Sequence, residues 1–187
     1  MKKNIIFVLI IFLLIKFSAT AQKKEIKFNS VNTFEMISGE SPVNTGFQTI
    51  NGVRFLNWFS GVGIGVDEYR YKTLPLFVDV RKFFGHEKKA FFYGNVGSNF
   101  PMKNKPDKEV YYTSYHFTGG VYTDIGIGYQ FYLDKNSSLV FSLGNNFKKL
   151  KIRTNLSYEC GSGPCPENYT SYSYSLNRMI LKAGVIF

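Results

Sequence analysis

The stretch Trp58-Phe59-Ser60-Gly61-Val62-Gly63-Ile64-Gly65-Val66-Asp67-Glu68-Tyr69-Arg70 decides the fold class. Val62, Ile64 and Val66 alternate with Gly61, Gly63, Gly65 and Asp67. Successive side chains of a strand point to opposite faces, so one face is aliphatic and the other is glycine and carboxylate. The glycines lie inside this alternation, not between a strand and a helix, so they do not form a nucleotide-binding loop. They make room on a crowded concave face.

The same period of two recurs on both sides. In 74–84, Leu76, Val78 and Val80 oppose Asp79 and Arg81. In 120–133, Ile125, Ile127, Tyr129, Phe131 and Leu133 oppose Asp124, Gly126, Gly128 and Gln130. In 138–149, Leu139, Phe141 and Leu143 oppose Ser142, Gly144 and Asn146. Near the end, Met179, Leu181, Ala183, Val185 and Phe187 share a face. Eight strands are predicted, at 31–39, 46–56, 58–70, 74–84, 89–99, 118–133, 138–153 and 171–187. Turns at 56–57, 85–88 and 134–137 are short, whereas the connections at the other end, 40–45, 101–117 and 154–170, are long, with 71–73 the exception. Tight turns at one end and long loops at the other are the pattern of an all-β, eight-stranded antiparallel up-and-down transmembrane barrel.

Composition agrees. The 187 residues hold 19 Phe, 13 Tyr and 17 Gly against 6 Pro, which argues against a disordered, collagenous or coiled-coil chain. Lys2 and Lys3, the apolar run Ile5–Ile15 and Ala19-Thr20-Ala21 read as a signal peptide over 1–21, leaving 22–187 as the barrel domain. Removing Lys2, Lys3 and Lys16 lowers the formal charge from +10 to +7. Export to an oxidising compartment makes a disulfide the natural reading of Cys160 and Cys165, with two free thiols as the alternative. With no second cysteine pair, and His86 and His116 remote, no metal site is expected, nor any cofactor.

Alternation does not say which face is outside. A soluble barrel buries the apolar face around an apolar ligand; a membrane barrel turns it outward. Three features favour the membrane. Aromatics gather at strand ends as interfacial girdles do: Phe55, Trp58, Phe59, Phe83, Phe84, Phe91, Phe92, Phe131 and Tyr132 at the turn end, and Tyr69, Tyr71, Tyr111, Tyr112, Tyr115, Tyr122, Tyr169, Tyr172 and Tyr174 at the loop end. The final strand stops on an aromatic, Phe187, and several strands are long enough to cross a bilayer. The polar face then fills a lumen with Glu35, Arg54, Asp67, Asp79, Arg81, Asp124, Arg178 and Lys182, expected as an ion-paired plug and not an open pore.

The segments GFQTINGVRF (46–55), GVGIGVDEY (61–69), LPLFVDVRKFF (74–84) and GIGYQFYL (126–133), with the terminal strand ending at Phe187, resemble the small porin-like outer-membrane β-barrel proteins of Bacteroidota. The resemblance implies the bacterial outer membrane, lipopolysaccharide and outer-membrane lipid as surroundings, and insertion by machinery that reads the C-terminal strand. It implies no activity.

Function is therefore sought in the loops. Segments 101–117 and 154–170 carry tyrosines and charges suited to surface binding. Lys148, Lys149, Lys151 and Arg153 form the densest basic run, a candidate contact for anionic lipid. Ser114 and His116, with Glu109 nearby, raise a lipid A deacylase-like hydrolase as an alternative, but YYTSYHFTGG lacks that family's His-x-Ser motif. The expectation is a monomeric, non-enzymatic barrel with a structural or surface-binding role through those loops and no nucleic-acid partner.

Overall fold

The computed structural model describes residues 26–39, 43–68, 71–102, 113–134, 136–156 and 168–187. The strands are β1 (Lys27–Ser38), β2 (Asn44–Phe55), β3 (Trp58–Asp67), β4 (Thr73–Phe84), β5 (Ala90–Pro101), β6 (Thr113–Thr118), β7 (Gly120–Tyr132), β8 (Ser138–Leu156) and β9 (Asn168–Ile186). Strands β1 to β5 pair antiparallel in chain order, β5 pairs with β7 and β7 with β8, and β9 pairs with both β8 and β1, closing the sheet. Closure removes the exposed edges that an open sheet presents.

Among the described residues nine strands make eight walls. Both β6 and β7 pair with β8, end to end. Thr118 faces Lys151 and Tyr122 faces Lys148, so three residues on one strand oppose two on the other. This is a β-bulge. A Cβ on Gly119 would lie 1.7 Å from the Asn99 carbonyl oxygen, so only glycine fits there. The extra residue reverses the alternation: Phe117 points inward upstream of the bulge and Tyr122 inward downstream.

The polarity of the wall is inverted relative to a soluble barrel. Val62, Ile64, Val78, Phe92, Ile125, Ile127, Phe141 and Leu181 point out, each 43–63 % exposed. Gln48, Asp79, Asp124 and Lys182 point in and are at most 4 % exposed. The soluble alternative turns the alternating aliphatic face inward; here that face points outward.

Two sequence expectations are corrected. The aromatics at the turn end divide between the faces: Phe55, Trp58, Phe84 and Phe92 face outward, whereas Phe59, Phe83 and Phe91 are buried. Adjacent residues of a strand must diverge, so Phe83-Phe84 and Phe91-Phe92 each send one ring each way. The outward rings of Phe84 and Phe92 stack at 4.8 Å, while the inward rings of Phe83 and Phe91 meet at 5.3 Å. At the loop end Tyr122 is fully buried, not interfacial. The second correction concerns the long loops. Residues 113–117, 154–156 and 168–170 are strand, because the β8–β9 hairpin continues well past the neighbouring walls. Residues 1–21 and Cys160 and Cys165 lie outside the described residues.

Candidate functional site: the charged lumen and the long-loop face

Among the described residues the lumen buries four carboxylates, Glu35, Asp67, Asp79 and Asp124, and four cations, Arg81, Lys148, Arg178 and Lys182. Their formal charges cancel, as burial in a low-dielectric interior demands. Seven of the eight expected interior residues are buried. The eighth, Arg54, shares the inner face but is half-buried at the turn-end rim, its guanidinium 3.9 Å above the Phe83 ring.

Lys182 on β9 is the hub. Its ammonium donates to Asp124 on β7 and, at 3.2 Å, to Gln48 Oε1 on β2. It also lies 3.1 Å from Glu35 Oε1 on β1, an ion pair without hydrogen-bond alignment. Asp124 further accepts from Tyr93 Oη at 3.0 Å, and Gln48 donates to Tyr122 Oη at 2.8 Å. Five strands are thus tied across the barrel through one ammonium.

Asp79 and Arg81 are two apart on β4 and therefore share the inner face. They form a two-point pair at 2.9 and 3.1 Å. Asn95 lies between two carboxylates: in one amide orientation it donates to Asp124 Oδ2 at 3.4 Å, and in the other to Asp79 Oδ2 at 2.7 Å. The Arg81 guanidinium also lies over the rings of Phe59 and Phe91, at 5.5 and 5.3 Å. Below it Phe59, Phe83 and Phe91, with Val31, Val140 and Ile186, belong to one apolar cluster at the turn end.

The glycines supply the space for these rings. A Cβ on Gly63 would lie 2.4 Å from Phe77 Cε2, and one on Gly128 2.3 Å from Phe91 Cζ. The sequence assigned glycine to the inner face, and its counterpart is a large ring on a neighbouring strand.

Lys148 requires a correction. The sequence places it in a contiguous basic run, yet it is 1 % exposed and donates to Asp67 Oδ1 at 2.5 Å and Thr73 Oγ1 at 3.0 Å. Residues 148 and 149 point to opposite faces, so contiguity in sequence does not make one patch. Lys149, Lys151 and Arg153 do share the outer face and are exposed. His116, exposed on β6, faces Arg153 across the β6–β8 pair. Of its proposed catalytic companions, Glu109 lies outside the described residues and Ser114 falls on β6.

No protein-family model matches this chain, and no curated protein matches it significantly. Solved structures do. The outer membrane protein OprG from Pseudomonas aeruginosa superposes with a TM-score of 0.53 over 87 % of this chain and 95 % of its own, at 11 % identity. Its fold is that of a small outer-membrane barrel. The outer membrane protein AlkL, determined in lipid bilayers, gives 0.51 over 91 % and 93 %, at 12 % identity. At such identities the likeness extends to the fold.

Proposed function

We propose that this chain is an integral outer-membrane barrel of the small porin-like type found in Bacteroidota. In this reading its filled lumen conducts nothing, and its specific role is surface binding by the long-loop end, segments 101–117 and 154–170. The observation that carries the membrane reading is the inverted wall, with aliphatic and aromatic side chains outward and a charge-balanced interior. Exposing that much apolar area to water is unfavourable, and in lipid it costs nothing.

The twelve-residue strands β1, β2, β4 and β5 support the same reading. At about 3.3 Å per residue and a tilt near 40° each rises roughly 30 Å, enough to cross the apolar band of an outer membrane. The absence of a pore rests on size. Eight strands enclose only enough room for side chains, and here Phe59, Phe83 and Phe91 lie beneath the ion pairs.

The test is heat-modifiability of the protein from isolated outer membranes. A folded barrel resists SDS and changes mobility only on boiling. A clear shift in that fraction supports the reading. Recovery in the soluble periplasm without a shift overturns it.

A further inference from the structure

The β8–β9 hairpin outgrows the rest of the barrel. Each strand has 19 residues. At about 3.3 Å per residue and a ~40° tilt, that is a rise of roughly 45–50 Å. Pairing of β1 with β9 ends at Ser38–Met179, and pairing of β5 with β7 ends at Asn99–Gly120. Beyond those levels β6, β8 and β9 continue as a three-stranded wall.

The outer face of this wall changes character sharply. Lower down Ile125, Leu143 and Met179 are exposed apolar residues. Immediately above come Lys149, Lys151 and Arg153, spaced two apart on β8 and so aligned on one face. Their cross-strand partners on β9 are Ser175, Ser173 and Ser171, and on β6 Thr118 and His116 face Lys151 and Arg153. These neighbours are exposed and mostly short, so they leave the cations open to solvent. No Asp or Glu occurs anywhere in 113–118, 138–156 or 168–186. Nothing within the wall offsets the positive charge.

We infer that this face binds the phosphorylated saccharide headgroup of an outer-leaflet glycolipid through Lys149, Lys151, Arg153 and His116. The inference rests on the membrane reading above and names a partner for the outer wall of that barrel. The position decides against a flat phospholipid surface. Three cations two residues apart span about 13 Å along the strand, a ladder rising away from the apolar band. A single plane of phosphates would meet one rung. A glycolipid whose anionic groups continue outward along a sugar chain meets all three.

The experiment uses the full-length mature protein folded in detergent micelles, with native mass spectrometry and competition titration reading bound lipid. The probes are lipopolysaccharide, enzymatically dephosphorylated lipopolysaccharide and phosphatidylglycerol. A Lys/Arg residue near an anionic surface contributes about fivefold in affinity, so Lys149→Ser/Lys151→Ser/Arg153→Ser is expected to weaken lipopolysaccharide binding about a hundredfold. Lys88→Ser, in the exposed turn at the opposite end, changes net charge without touching the face and is expected to bind as the parent does. Equal binding by the triple variant, undiminished binding of the dephosphorylated lipid, or tighter binding of phosphatidylglycerol each overturns the inference. The triple variant's substitutions all point outward, and its unboiled mobility in SDS checks that it folds. If the parent itself shows no heat-modifiable form in outer membranes, the membrane reading fails. If it does and the triple variant still binds normally, only the glycolipid inference fails.

Discussion

Replacing Lys182 by Met removes the cation that ties five strands together while keeping an unbranched side chain of similar length. The structure indicates what is left. Glu35 is 1 % exposed and Asp124 is fully buried, and both lose their ammonium. Gln48 Oε1 loses its donor at 3.2 Å. The lumen goes from four carboxylates and four cations to four and three. Breaking a buried pair by deleting one partner costs about 3–5 kcal/mol, because the remaining charge is buried without compensation. Here two carboxylates shared the cation, so the upper part of that range is expected. The assay is urea unfolding of the protein folded into lipid vesicles. The single tryptophan, Trp58, faces outward at the turn end and reports loss of the lipid environment. Lys182→Met/Asp124→Asn leaves three carboxylates against three cations and keeps an acceptor for Tyr93, so it should recover much of the loss. If Lys182→Met unfolds within about 0.5 kcal/mol of the parent, the network is not what fills the lumen, and the closed-barrel reasoning is wrong.

Three further outcomes test other parts of the barrel. Asp79→Ala strands the Arg81 guanidinium between the Phe59 and Phe91 rings, and the thermal unfolding midpoint should fall by an amount equivalent to about 3 kcal/mol or more; an unchanged midpoint would count against its burial. Gly63→Val drives a side chain into Phe77 and should destabilise by about 1–3 kcal/mol in the same urea titration, whereas Gly94→Val, whose Cβ has only Ile125 Cγ2 at 4.0 Å, should be tolerated. Leu56 sits at φ 58° in the two-residue turn between β2 and β3, a conformation unfavourable for a side-chain-bearing residue, so Leu56→Gly should stabilise by about 1 kcal/mol in equilibrium unfolding.

The strand content, the barrel and the identity of the inner face were legible because a strand's two faces meet different solvents, and 58–70, 74–84 and 120–133 record that difference residue by residue. The same rule, applied to neighbours, would have separated Phe83 from Phe84 and Lys148 from Lys149. Counting aromatics and basic residues as clusters along the chain hid it. The strand over 113–118 was obscured for another reason. The bulge at Gly119 reverses the phase, and beyond the apolar band neither face is required to be apolar, so alternation weakens while backbone pairing continues.

By itself, then, the sequence determined which side chains lie on which face, because alternation is local and needs no knowledge of neighbours. Only the tertiary structure decided the partners: that Lys182 reaches Glu35, Gln48 and Asp124 on three other strands, that Lys148 turns inward to Asp67, and that Gly63 yields to Phe77. Those pairings follow from the stagger and tilt of eight closed walls, which set residues far apart in sequence at one height in the lumen.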